Sequence, residues 1–284
     1  MIEKILVHGN SWFFNLRKEN FNFIFFFRIM VGFFLLLDFV LIIPDYKELF
    51  GIHSLIPSEV CNLYNSPTTI TTFKVINFIN VKEENYIIFF FILYITFCLA
   101  LISGFHTKII SFILIILHTS FYYNNPNFMY GYDYFISMSL FHLLIFPSQS
   151  SINYLFYRRI LQIHLIFAYF FSGFDKLLGY NWRNGEAIWK AITLPSSNND
   201  FRINFDSLLN FSIIFPILSW SVIILEMFYI LIMIKKVTNY WLFLIVLMHL
   251  GIAIALNLYL FSAIMIVWNL AAFYNFNPTK QLTK

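Results

Sequence analysis

The stretch FNFIFFFRIMVGFFLLLDFVLII, residues 21 to 43, decides how this chain is to be read. It is apolar throughout except for Asn22, Arg28 and Asp38. At about 1.5 Å of rise per residue, a helix of this length matches a membrane hydrocarbon core about 30 Å thick. Further apolar runs lie near residues 86 to 103, 109 to 123, 133 to 147, 160 to 179, 211 to 234, 240 to 256 and 258 to 275. The whole chain has the same character: its 284 residues are 60% hydrophobic, 21% aromatic and 11% charged, with a mean hydropathy of +0.75. A water-soluble domain carries about 25% charged residues, so soluble, secreted and disordered readings are excluded. The expected fold is all-α, a polytopic transmembrane helical bundle of about eight helices. The runs 109 to 123 and 133 to 147 are short for full spans, which leaves seven or nine crossings open.

The remaining composition narrows the class. Cys61 in a loop and Cys98 inside an apolar run form no CxxC or metal spacing, so neither a disulfide nor a metal site is expected. The net charge of +4 is scattered through short loops rather than gathered in a patch, which argues against a nucleic-acid partner. Those same cations set the orientation. Lys4, Arg17, Lys18, Lys108, Arg158 with Arg159, Lys235 with Lys236, and Lys280 with Lys284 all fall on one side, while the short connections 124 to 132 and around Asn257 carry none. Both termini are therefore expected in the cytoplasm, with the long loops 44 to 85 and 180 to 210 outside. Residues 1–20 read as a cytoplasmic or interfacial segment carrying Trp12, Phe13 and Phe14. They lack a signal peptide's apolar core, so the first helix reads as an uncleaved anchor. Residues 21–275 read as a single transmembrane domain and 276–284 as a cytoplasmic tail. The Phe, Ile, Asn and Lys bias fits an AT-rich genome and hence a bacterial inner membrane.

Ionisable groups inside the spans need a partner, a cavity or a function, since each costs on the order of 3 kcal/mol at a helix centre. Arg28 and Asp38 share the first helix, about 15 Å of rise apart, and cannot pair with each other. Counted from the inner helix ends, Arg28 and Glu226 lie at similar depth, and an ion pair between them is expected. Asp38, Asp133 and Lys176 fall near outer helix ends, and His118, Asn124 and Asn125 point to the same level. From its charge alone Lys176 reads as a lysine snorkelling at a helix terminus. His142 and His164 also reach comparable depth on neighbouring helices, where two imidazoles either ligate a haem iron or pack by hydrogen bonding.

Four blocks in order carry a resemblance. The first is Arg28-Ile-Met-Val-Gly32-Phe-Phe-Leu-Leu-Leu-Asp38, with Pro44-Asp45-Tyr46 and Phe50-Gly51. The second is Asn124-Asn125-Pro126-Asn127-Phe128-Met129-Tyr130-Gly131. The third is Tyr169-Phe170-Phe171-Ser172-Gly173-Phe174-Asp175-Lys176-Leu177 with Trp182 and Gly185, and the fourth is His249 with Phe261-Ser262 and Met265. Together they resemble the HTTM superfamily, the membrane domain shared with vitamin K-dependent gamma-carboxylase, over roughly residues 25 to 275.

The resemblance implies that Lys176 stands where the carboxylase has its base for vitamin K hydroquinone. It thus implies a quinone or quinol as cofactor, lyase-like carboxylation or related oxygenation chemistry, and an active site in the outer leaflet. The expected substrate or lipid pocket comprises Arg28, Asp38, His118, Asn124, Asn125, Tyr130, Asp133, Trp182 and His249, with Lys176 catalytic. An amine in an apolar pocket is physically suited to the role, because desolvation favours its neutral form. The chain departs from the carboxylase at three points. Pro126 stands at a position where the family has a catalytic histidine, Asp175 replaces a lysine, and only nine residues follow the last run where the carboxylase has a large luminal region. Small bacterial members include relatives of a membrane factor that helps mature a sporulation-delaying peptide toxin, and the chain is similar to them in size. The alternative to a quinol-linked enzyme is therefore a non-redox scaffold for peptide-toxin maturation, immunity, or lipid or peptide transport. Its expected partners are the lipid bilayer, a peptide substrate or a partner membrane subunit.

Overall fold

The computed structural model describes residues 23–51, 54–57, 60–61, 63, 65–66, 68–147, 154–197, 200–201, 203–205 and 210–274. The expected interfacial segment 1–20, with Trp12, Phe13 and Phe14, and the tail 276–284 lie outside the described residues. All regular structure among the described residues is helical. The region expected as one transmembrane domain gathers into two compact units, residues 24–150 and residues 151–284, the latter grouped with 1–23.

In the first unit, helix α1 (Phe23–Ile42) runs through a 3-10 turn (Ile43–Asp45) into the short α2 (Tyr46–Leu49). Pro44 sits where a helical turn begins and its missing N–H costs nothing. Helix α3 (Thr72–Ile79) starts at Thr71, whose hydroxyl accepts from Lys74 N at 3.3 Å. Helices α4 (Glu83–Ser103), α5 (Thr107–Tyr122) and α6 (Gly131–Ile145) follow. Helix α4 opens on Glu83 and Glu84, which favour a helix N-terminus, and closes at Gly104 with φ +87°.

That closure decides the fate of Arg28. Its Nη1 donates to Leu101 O at 2.7 Å and Ile102 O at 2.9 Å. The guanidinium thus caps the end of α4, sharing Leu101 O with Gly104 N and adding a bond to Ile102 O, where the helix dipole also favours a cation. The expected Arg28–Glu226 pair does not form: Arg28 is occupied within its own unit, and Glu226 is occupied by Lys176, as described below. A side chain at Gly104 would place its Cβ 2.4 Å from Arg28 Nη1, and one at Gly32 would lie 2.7 Å from Ile102 Cγ1. Small residues let α1 and α4 meet closely. The core beside them is aromatic, with Phe39 stacked on Tyr94 at 3.9 Å and Phe121 against Phe39, Phe50 and Phe90.

The second unit contains α7 (Tyr154–Leu178), the short α8 (Tyr180–Arg183) and α9 (Glu186–Ile192), α10 (Ile214–Met227), a 3-10 segment (Tyr229–Met233), α11 (Thr238–Leu256) and α12 (Tyr259–Phe273). Asn257, in the left-handed region at φ 56°, turns α11 into α12. Arg158 repeats the device of Arg28, donating from Nε to Ala272 O at 2.9 Å and from Nη2 to Tyr274 O at 2.7 Å at the end of α12.

The register of α7 against α10 positions the site. A Cβ at Gly173 would lie 2.7 Å from Met227 N, Lys176 meets Glu226, Arg183 O accepts from Trp220 Nε1, and a Cβ at Gly185 would lie 2.4 Å from Pro216 N. The two segments run antiparallel. Helix α7 ends beside the last turn of α10, and the remaining length of α10 is covered by α8 and α9; from Phe215 to Met227 this is about 18 Å of rise. The end of α7 is thus not the end of the unit.

Two sequence expectations are corrected here. The run 211 to 234 is not one α-helix: α-helical winding stops at Met227 and continues as 3-10 between two buried anchors, Glu226 and Tyr229. The long polar loops also hold structure, α2 and α3 in one and α8 and α9 in the other. Three segments, Phe23–Leu49, Glu83–Ser103 and Thr238–Leu256, are long and apolar enough to cross a membrane. Many apolar side chains on the helices face outward at helical spacing. Examples are Ile109, Phe112 and Ile116 on α5, Tyr134, Met138 and Phe141 on α6, and Phe243, Leu247, Leu250 and Ile254 on α11. Polar residues such as Ser111, His118, Ser139, Ser219 and Asn269 are buried instead.

Candidate functional site

The residues expected in one pocket fall into both units. Arg28, Asp38, His118, Asn124, Asn125, Tyr130 and Asp133 belong to residues 24–150, while Lys176, Trp182 and His249 belong to residues 151–284, together with Glu226, expected only as the partner of Arg28. Each cluster has its own chemistry.

Lys176 lies in the last turn of α7. Gly173, one turn back, removes the side chain that would hold α10 away, and Met227 fills that space. The close approach brings Glu226 Oε2 to 2.6 Å from Lys176 Nζ, which also donates to Ser172 Oγ at 2.5 Å. Lys176 Nζ thus bridges Ser172 Oγ and the Glu226 carboxylate. The Glu226 side chain is 7% exposed and that of Lys176 19%, so the carboxylate is enclosed and the lysine side chain is partly exposed. After Leu178 the chain turns at Gly179, whose N–H bonds to Asp175 O and Lys176 O, and α8 brings the Trp182 ring to 5.2 Å from Lys176 Nζ. An indole face at that distance attracts an ammonium. Lys176 is therefore ion-paired and roofed rather than snorkelling, because the chain beyond α7 folds over its end.

Behind this pair runs a buried hydrogen-bonded chain. Tyr169 OH and His249 Nε2 are 2.7 Å apart, Asn269 Nδ2 donates to Tyr169 OH at 2.8 Å, and Tyr229 OH donates to Asn269 Oδ1 at 2.6 Å. Tyr169 and Tyr229 stack at 4.2 Å. The chain links α7, α11, α12 and the 3-10 segment by side chains that would each cost dearly if buried alone. His249 Nδ1 has no hydrogen-bond partner among the described residues.

In the first unit Asp38 accepts a hydrogen bond from Tyr122 OH. His118 Nδ1 lies 3.0 Å from Tyr94 OH, and its Nε2 lies 3.8 Å from Asp133 Oδ1. Asp133 Oδ2 accepts from Tyr130 N at 2.9 Å, which closes the start of α6. Asn124 bonds to Thr72 Oγ1 and accepts from Phe73 N at 3.3 Å, and Asn125 Nδ2 donates to Leu49 O at 3.0 Å. The asparagine pair thus ties the loop after α5 to α2 and α3. Asn65 Nδ2 adds a bond to Tyr123 O at 2.7 Å.

The two histidines considered for haem each face a ring within their own unit, His142 against Phe146 at 5.4 Å and His164 against Trp268 at 5.0 Å. No group of three or more His, Cys, Asp and Glu side chains forms a metal site among the described residues.

Sequence reasoning missed Tyr94, Tyr122, Tyr229 and Asn269 altogether, and gave Tyr169 and Ser172 no role. Asn269 carried a signal, an amide in the middle of an apolar run. The tyrosines carried little, because in a chain with 17 Tyr and 38 Phe one more aromatic does not stand out. No family model, curated protein or solved structure matches the chain.

Proposed function

We propose that this chain is an eight-crossing bacterial inner-membrane protein related to the HTTM superfamily. In this reading it is a quinol-linked enzyme, with Lys176 accepting a proton from a lipid-soluble hydroquinone. The inverted arrangement of apolar surface and polar interior supports the membrane reading, since lipid rather than water is the solvent such a surface suits. The segment Ile214–Met233 supports a crossing despite its short α-helix. Fourteen α-helical residues followed by 3-10 winding at about 2.0 Å per residue extend to roughly 30 Å.

The observation that carries the enzyme reading is the Lys176–Glu226 contact of 2.6 Å, with the lysine side chain partly exposed. In this reading the proton passes from the amine to the Glu226 carboxylate 2.6 Å away, which leaves Lys176 as the free amine that meets the quinol. Ser172 and the Trp182 face hold the amine in place, and Gly173 sets the distance.

These residues suit a quinol. The pair offers a hydrogen-bonding partner to its hydroxyl, and Trp182 offers a ring face. The flank of α7 turned from Glu226 is a ladder of outward phenylalanines, Phe167, Phe170, Phe171 and Phe174, along which an isoprenoid tail can lie. When bound, the quinol would supply the redox equivalents that the protein's side chains lack. The test is extraction of lipid from purified protein: a quinone should accompany the wild type and be depleted in Lys176→Met. Equal amounts in both, or none in either, would remove the reading.

The same ion pair also supports a second reading, the non-redox scaffold. A pair already satisfied by Ser172 and Trp182 can serve simply to join α7 to α10, with the outer cavity holding a lipid or peptide for maturation, immunity or transport. In that case Lys176→Arg would preserve the native phenotype.

A further inference from the structure

We propose that His118 and Asp133 in the first unit form a proton-binding site, separate from Lys176, that loads one proton between helices α5 and α6. His118 Nε2 is buried without a hydrogen-bond partner among the described residues and faces Asp133 Oδ1 at 3.8 Å. That gap is too long for a hydrogen bond and short enough to close on a shared proton. Both side chains are almost wholly enclosed, at 1% and 2% exposure.

The surroundings make a proton the fitting ligand. Asp38 from α1, Tyr94 and Cys98 from α4, His118 and Tyr122 from α5, and Asp133 with Tyr130 and Tyr132 from α6 are the titratable groups within electrostatic reach. No lysine or arginine pairs with Asp38 or Asp133 among the described residues. Two carboxylates in one enclosed cluster, with an imidazole as the nearest basic group, carry negative charge that a bound proton relieves. Asp38 and Asp133 are already held, by Tyr122 OH and by the Tyr130 N–H, which leaves Oδ1 of Asp133 to face the imidazole.

The proton's route on the ring follows from the tautomer. In neutral His118 carrying its hydrogen on Nδ1, that N–H donates to the Tyr94 oxygen and Nε2 is bare; the loaded proton then sits on Nε2, facing Asp133 Oδ1. No bond to carbon forms or breaks, and no oxidant or reductant is needed. The pair bridges α5 and α6.

The experiment is a potentiometric difference titration of the full-length protein in detergent, over about pH 4 to 7, where carboxylates and imidazoles ordinarily titrate. Wild type should take up about one proton more than His118→Gln or Asp133→Asn. Circular dichroism and gel filtration establish folding first. Equal uptake by wild type and both folded variants would overturn the proposal. If neither variant folds, Tyr94→Phe, which deletes only a hydroxyl, should move the midpoint of that proton's uptake. An unmoved midpoint would overturn it equally. Failure of the quinol reading leaves this titration unchanged, because it reads His118 and Asp133 rather than the Lys176–Glu226 pair that carries that reading.

Discussion

Breaking the Lys176–Glu226 pair from either side should cost unequal amounts. Removing one partner of a buried ion pair typically costs about 3 to 5 kcal/mol, because the other is left charged and enclosed. Glu226→Gln leaves an ammonium that is 19% exposed and keeps Ser172 and the Trp182 face, so its loss should fall below that range, at about 2 kcal/mol. Lys176→Met leaves a carboxylate that is 7% exposed without its ammonium partner, so its loss should reach about 3 kcal/mol or more. The double substitution removes both charges and should recover part of the larger loss. The assay is unfolding of the purified protein in mixed detergent micelles, with helicity as the signal and the four proteins compared in one buffer. Strictly additive losses, or a Glu226→Gln protein weaker than Lys176→Met, would refute the reasoning.

Other consequences follow from single contacts. Gly173→Ala puts a Cβ 2.7 Å from Met227 N; it should cost about 1 to 3 kcal/mol in the same assay, against little change for Gly251→Ala, where nothing lies within 4 Å. Gly104→Ala strains a residue at φ +87° and pushes into Arg28, so it should destabilise the protein at least as much as Arg28→Met, measured side by side. Cys61 is buried and its thiol pKa is pushed up by that burial, so less thiolate is present at neutral pH than for a free cysteine. An impermeant maleimide should therefore label Cys61 slowly in intact cells and faster as pH rises above the ordinary thiol range. A cysteine at the exposed Leu63 should label readily if loop 44 to 85 is external, and a reporter fused after Arg159 should behave as cytoplasmic.

How much of this was legible depended on which physical signal each feature leaves. The apolar runs are set by the solvent that surrounds the helices, and every run predicted from 21 to 275 contains a helix. Pairing left a weaker signal. Depth counted from helix ends placed Arg28 opposite Glu226, but that count assumes neighbouring helices end at a common level. Here α7 stops about 18 Å short of the start of α10, and α8 and α9 fill the difference, which puts Lys176 at Glu226 instead. Arg28 had its own answer in the sequence, the glycine turn at Gly104 that exposes carbonyls at the end of α4. The change to 3-10 winding after Met227 left no mark, since Phe-Tyr-Ile-Leu-Ile is as apolar as any helix in the chain. Of the expected pocket, the charged and amide residues were nameable because they are costly in lipid. The tyrosines that hydrogen-bond them were hidden by an aromatic-rich composition.

The most direct test of the central claim is the ionisation of a bound hydroquinone, read from the absorbance of its anion. A short-chain naphthohydroquinone would be titrated anaerobically into purified wild type, Lys176→Arg and Lys176→Met at one pH below the quinol's own pKa. Wild type should convert bound ligand to the hydroquinonate. Lys176→Arg should leave it neutral because guanidinium stays protonated, and Lys176→Met should do the same for want of a base. Anion formation in the Lys176→Arg protein equal to that in wild type, or none in any of the three at saturating ligand, would contradict the account.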